Sequence, residues 1–208
     1  MSSVLSDGSP IVGDVARQPA HPTATDPVTP KGRRTRDALL QAGETLAERD
    51  GLAGLNAAAV AAQAGVAKGT FYLYFEDREA FIDALHQRFY AQLGEAVSLA
   101  VAEFPPGREL LLAAVEAYLD VCLRKRAVKA LVLETRTQGT LTTAMEQREA
   151  LFARLAEPSM RALELTPAWI SARLLLALTS EAALIELEAG RRVAGARRSI
   201  RRLLEGRC

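Results

Sequence analysis

The stretch "AGVAKGTFYLYFEDREAF", Ala64 to Phe81, decides how this chain is read. Aromatic residues make up only 5% of the sequence, yet Tyr72 and Tyr74 stand close together just after a glycine. Asn56 is placed to cap a short alanine-rich helix, Ala57 to Ala64, which Gly65 stops. The chain then restarts toward Tyr74, and Asp77 is placed to cap a long helix. Two short helices joined by a tight glycine turn form a helix-turn-helix. Ala61 must be small where the second helix crosses, and Val60, Val66 and Phe71 are the apolar pegs between the two. With those pegs inward, Lys68, Gly69, Thr70 and Tyr72 fall on the outer, N-terminal part of the second helix, the part that enters a major groove in this motif.

The rest of the chain agrees with a helical protein. Its 208 residues are 49% apolar and 25% charged, and alanine, leucine, glutamate and arginine dominate. These are helix formers, and no Val/Ile/Thr run reads as a strand. An all-α fold of about nine helices is expected. Residues 1–30 hold Pro10, Pro19, Pro22, Pro27 and Pro30 among Ser, Thr, Gly and Asp, so a disordered tail is expected there. The first helix is predicted from Thr35 as N-cap to Asp50. The long helix from Asp77 carries Phe81, Leu85, Phe89, Leu93, Val97, Val101 and Phe104 at i, i+4 spacing. A helix over about 109–126 is apolar nearly all round, one over about 128–137 ends at Gly139, and one from Leu141 is expected to break or kink at Pro158. Thr166-Pro167 starts a helix that runs to about Ala189, and a final helix spans about Val193 to Leu204. The domains are therefore expected as a tail over 1–30, a helix-turn-helix domain over 31–78 and a helical domain over 79–208.

Charge is informative through its placement. The net formal charge is +1, and residues 31–90 balance eight basic against eight acidic side chains. Acids must then lie away from a DNA face. Lys31, Arg33, Arg34 and Arg36 read as a basic arm that can reach phosphates or an adjacent minor groove. A second set, from Arg191 to Arg207, follows the pattern of a solvated face. Cys122 and Cys208 form neither a metal spacing nor a disulfide framework, and His21 and His86 are the only histidines. No Gly-rich phosphate loop and no nucleophile-base arrangement is present. No catalytic residue, metal or cofactor is expected, nor a signal peptide or membrane span. A cytoplasmic protein follows.

"GLNAAAVAAQAGVAKGTFYLYFEDREAFIDAL", Gly54 to Leu85, resembles the N-terminal domain of the TetR family of bacterial transcriptional regulators. The run Gly65-Val66-x-Lys68-Gly69-Thr70-x-Tyr72-x-Tyr74-Phe75 carries the likeness, which extends over roughly Thr35 to Leu85. It implies that Lys68, Gly69, Thr70 and Tyr72 face an operator in double-stranded DNA. It implies also that Tyr74 and Arg78 hold the DNA backbone, and that Asn56, with Ala57 beside it, offers a phosphate hydrogen bond. Ala67 departs from the family, since Ser or Thr is common there and can cap the recognition helix. Asn56 stands where Thr is common.

The same resemblance implies a C-terminal domain that binds a small effector and forms a homodimer, so that two recognition helices meet a palindromic operator. Leu174, Leu178, Leu184 and Ile185, with Ile200 and Leu203 of the last helix, are the expected interface. Phe89, Leu93, Tyr118, Cys122, Arg136, Phe152, Trp169 and Arg173 are the expected pocket residues, and their apolar balance favours a lipophilic or partly aromatic effector. A DNA-organising protein of little sequence preference is the alternative. It shares the basic arm and the dimer and lacks a use for Lys68, Thr70 and Tyr72.

Overall fold

The computed structural model describes residues 29–130 and 142–206, with side chains left aside for 142–151. Among these residues every regular element is helical. In chain order they are α1 (Pro30–Asp50), a 3-10 turn (Gly51–Gly54), α2 (Ala57–Gln63), α3 (Lys68–Tyr72), α4 (Arg78–Val101), α5 (Arg108–Arg124), α6 (Thr142–Ala162), α7 (Ala168–Ala189) and α8 (Ala194–Leu204). Residues 126–130 are helical as well.

The caps explain most of the boundaries. Asn56 Oδ1 accepts from the Ala59 N–H at 3.0 Å, and Asp77 Oδ1 accepts from the Ala80 N–H at 2.7 Å. Each carboxamide or carboxylate satisfies a donor the helix start leaves open. Gly65, at φ +70°, makes the turn between α2 and α3.

Three boundaries differ from the sequence expectations. The first helix starts at Pro30 rather than near Thr35, because Thr29 is its cap: its hydroxyl accepts from the Gly32 N–H at 3.1 Å, with Pro30 in the first turn. The basic run Lys31–Arg36 is therefore the opening of α1 and not an extended arm, and only residues 1–28 of the expected tail lie outside the described residues. At the other Thr-Pro pair α7 starts at Ala168, with Pro167 itself in the capping position. Pro158 does not break α6, which runs on to Ala162. Ser159 and Met160 are buried beside it, and packing of that turn outweighs the one backbone hydrogen bond that proline removes. By length and composition alone α7 is the one helix among the described residues apolar enough to cross a membrane. Its inner face, with Ala172, Thr179, Ala182, Ala183 and Glu186, is packed into the protein.

Three apolar clusters hold the helices together. The first joins Leu39, Leu40 and Leu46 of α1, Val60 and Ala61 of α2, Phe71 of α3, then Phe75, and Phe81, Ile82 and Leu85 of α4. Phe81 packs so close to α1 that a Cβ on Gly43 would come within 2.5 Å of its ring. The second gathers Phe89 and Leu93 of α4 with Tyr118, Leu119 and Cys122 of α5, Val128, Ala182 and Ala183 of α7, and Ile200 of α8. The third joins Leu111, Ala153, Met160 and Ala172. The first cluster thus continues past Arg78 to Leu85, and α4 is one unbroken helix that gives Phe81, Ile82 and Leu85 to the first cluster and Phe89 and Leu93 to the second.

Candidate nucleic-acid interface

The recognition face is built from behind. Phe71 and Phe75 are buried, and their rings, with that of Phe81, lie 4.9 to 5.3 Å apart in tilted and edge-on contacts. This triad fixes the roll of α3, whose five residues could not hold a helix by themselves. The opposite side of α3 is then forced outward. Lys68 and Gly69 are exposed, Thr70 is half-buried, and Tyr72 is 51% exposed while its ring stands edge-on to Phe71 at 5.4 Å. Ala67 caps α3 with no side-chain hydrogen bond, as its missing hydroxyl predicts.

Two further features mark this face. A Cβ at Gly69 would meet nothing within 4 Å, and no positive φ requires glycine there. Glycine in a helix costs about 1 kcal/mol against alanine, so nothing inside the chain rewards it. Leu73, which the sequence reading passed over, is 73% exposed next to Tyr72. Its signal was present: with Phe71 and Phe75 inward, the residue midway between them points out.

The remaining expected contacts divide. Asn56 is exposed and Ala57 half-buried at the N-terminus of α2, with the Asn56 side chain engaged as the cap. Arg33 and Arg34 are exposed on the first turns of α1. Arg36, on the same helix, lies over the Phe75 ring at 5.4 Å from its centroid, so this basic end of α1 passes close to the C-terminal side of α3. Tyr74 is half-buried against the first cluster. Arg78 is engaged within the protein: its Nε donates to the Leu55 carbonyl at 2.7 Å and a terminal nitrogen donates to the Leu52 carbonyl at 2.6 Å. It braces the 3-10 turn that delivers α2, and two of its donors are occupied by the protein.

The sequence reading also missed a bridge between the domains. Glu44 of α1 is buried, and its two oxygens lie 3.3 Å from Arg88 Nε and 2.6 Å from Lys125 Nζ. Arg88 reaches Asp37 as well, at 3.4 Å. Beside this bridge lies a small open cavity of about 110 Å³, lined by Gln41, Glu44, Thr45, Glu48, Arg124, Lys125, Ala127 and Val128. None of the expected pocket residues lines it, and ligand pockets run to about 300–1,000 Å³.

In the C-terminal domain Phe89, Leu93, Tyr118 and Cys122 are buried together, with Phe152 half-buried beside them. Trp169 and Arg173 are not with them: both are exposed on α7, Trp169 by 53%. Arg136 lies outside the described residues. Burial pushes the Cys122 thiol up to about 11, so it is a neutral core group. Of the expected interface, Leu174, Leu178, Ile185 and Leu203 are exposed and Leu184 is half-buried. Ile200 is buried in the second cluster, because the arginine-rich face of α8 turns the isoleucine inward.

One arginine of the C-terminal run is buried. Arg197 donates to both oxygens of Glu186 at 2.7 Å, and to Glu116 and Asp120 at 2.7 Å. Hydrogen bonding to Glu186 raises its pKa above the ordinary arginine value, against the opposing effect of burial. Burial alone would push the Glu186 carboxyl up. Hydrogen bonds from Arg197 and from the Val193 N–H outweigh that and hold it below the usual range. Among the described residues no group of His, Cys, Asp and Glu has the arrangement of a metal site.

Residues 39–85, which include the recognition face, match the model of the family described as bacterial regulatory proteins, tetR family. The N-terminal domain is a tetR-family DNA-binding domain. The whole fold is also similar to solved structures. A TetR-like transcriptional regulator from Rhodococcus sp. RHA1 superposes with a TM-score of 0.69 at 19% identity, over 82% of this chain and 93% of that one. A transcriptional regulator of the TerR/AcrR family from Aquifex aeolicus does so with a TM-score of 0.64 at 19% identity, over 82% of this chain and 98% of that one. At these identities the likeness is one of fold. No curated protein matches the chain. The tetR-family match over residues 39–85 and the all-helical fold together support a DNA-binding regulator.

Proposed function

We propose that the protein is a homodimeric repressor that sits on a palindromic operator and leaves it when a small, largely apolar effector binds the C-terminal domain. The outward face of α3 carries this reading. Lys68 supplies a cation for phosphate, Thr70 a hydroxyl, and Tyr72 a flat apolar body with a polar tip that can lie on a sugar or thymine methyl. Gly69 lets the helix come close to the DNA backbone. Arg33 and Arg34 supply phosphate contacts from α1, and Arg78 acts indirectly by bracing the 3-10 turn.

Dimerisation is supported by the exposed apolar row on α7. Leu174, Leu178 and Ile185 lie at helical spacing, and Leu203 is exposed on α8. Large exposed apolar patches mark interfaces on proteins in water. Twofold symmetry then sets two recognition helices against two half-sites. Effector control is a population shift, in which the ligand favours a conformer with wrongly spaced recognition helices and moves the equilibrium only by its differential affinity. The rod α4 is the natural lever. Catalysis has no part in this function.

Selection of genomic fragments by the purified protein at physiological salt, followed by sequencing, tests the proposal. A single palindromic motif near a few promoters is expected. Diffuse recovery with binding that collapses as salt rises would overturn it in favour of a DNA-organising protein, whose affinity is almost wholly electrostatic.

A further inference from the structure

Lys129 is the second buried cation of the C-terminal domain. It is 5% exposed, and buried lysines are nearly always paired. Its ammonium donates to the Tyr118 hydroxyl at 3.3 Å and lies 5.6 Å from the centre of the same ring. The Tyr118 hydroxyl is in turn 3.3 Å from Ser180 Oγ of α7. Among the described residues no carboxylate lies within ion-pair distance of Lys129. Glu186, Glu116 and Asp120 are held by Arg197, and Glu44 by Lys125 and Arg88. The neighbouring Cys122 thiol is neutral and supplies no counter-charge.

A buried ammonium with only neutral partners carries a desolvation cost that an anion would relieve. Tyr118 belongs to the second cluster, together with Phe89, Leu93, Cys122, Val128 and Ala183. We propose that Lys129, Tyr118 and Ser180 form a seat for the acid group of an apolar carboxylate, the effector of this regulator. The match is in number as well as sign. One cation and two hydroxyls suit a singly charged carboxylate on an apolar body, whereas a doubly charged phosphate would need further donors.

The seat is also wired to the DNA-binding domain. Lys125 lies one helical turn before Lys129 and is the residue that grips Glu44 of α1 at 2.6 Å. Between them Ala127 packs on the first cluster and Val128 on the second. An anion drawn to Lys129 therefore acts on a segment whose other side holds α1.

This inference rests on the effector reading above, and the two are separable. Octanoate and benzoate, with 1-octanol and benzyl alcohol as neutral counterparts, are titrated into the full-length protein by calorimetry and thermal melting. At least one acid is expected to bind and raise Tm while its alcohol does neither. Lys129→Met is expected to lose that acid by about tenfold or more, with Tm of the free protein unchanged or higher, since an apolar replacement relieves the burial cost. Ser180→Ala is expected to weaken the acid several-fold and keeps the test open if the lysine variant does not fold. Acids that bind no better than alcohols, or wild-type acid affinity in either variant, would overturn the seat. An acid held through Lys129 that leaves operator binding intact would keep the seat and remove effector release. Release by a neutral ligand alone would do the reverse.

Discussion

The two domains place charge and apolar surface in opposite ways. Around α3 the inside is aromatic and apolar, Phe71, Phe75 and Phe81, and the cations Lys68, Arg33 and Arg34 stand outside. Around α7 the inside holds ions, Arg197 with Glu186 and Lys129 with Tyr118, while Leu174, Leu178 and Ile185 stand outside. The first arrangement suits a polyanion, which attracts cations and leaves the domain's own core untouched. The second suits a protein surface, which covers apolar rows and lets specific ion pairs fix how the helices sit. One chain therefore offers two different partners two different chemistries.

The largest effect is expected at Arg197. Arg197→Met leaves Glu186 buried without its partner, and such broken pairs cost about 3–5 kcal/mol. Chemical denaturation should show that loss, while the double change Arg197→Met with Glu186→Leu should recover much of it. A single variant as stable as the wild type would mean that the ion network is incidental. Next comes the outer face of the same domain. Leu178→Glu, at a side chain 45% exposed, should leave the monomer fold within about 0.5 kcal/mol and shift sedimentation from dimer to monomer. A dimer that persists would place the interface elsewhere. The last and mildest change lies on α3, where a gain of stability is expected. Gly69→Ala should stabilise the protein by up to about 1 kcal/mol while weakening operator binding, because the added methyl points at the partner and at nothing in the chain. A loss of stability would break the contrast between the two faces.

Much of this was legible in the sequence, and the reasons can be located. Phe71, Val60 and Ala61 are inside because their spacing leaves them no other place, and the outward residues of α3 follow by elimination. Asn56, Gly65 and Asp77 each act locally, so their neighbours suffice to read them. Thr29-Pro30 carries the same start signal as Thr166-Pro167, but it lies at the edge of a proline-rich stretch and was counted with the tail. The internal partners of Arg78 and Arg197 were not legible, for one reason. A charged residue in a sequence reads as exposed, and only the fold shows that Leu52 and Leu55 offer carbonyls to one and that three carboxylates converge on the other. Glu44 and Lys125 come together across 81 positions of sequence, beyond the range of any local pattern. Trp169 reads as a wall residue because it is large and apolar, yet it lies on the outer side of α7.

The outward face of α3 is tested most directly by operator affinity in Tyr72→Ala, measured at fixed physiological salt on the fragment recovered from the genome, with sedimentation run on the same samples. Tyr72 is half outside the protein already, so the fold and the dimer should survive its removal. The prediction is an intact dimer whose affinity for the operator falls by about tenfold or more, in the range of 1–3 kcal/mol that one good base contact contributes. An intact dimer that binds the operator with wild-type affinity would contradict it, and α3 would no longer be the helix that reads DNA.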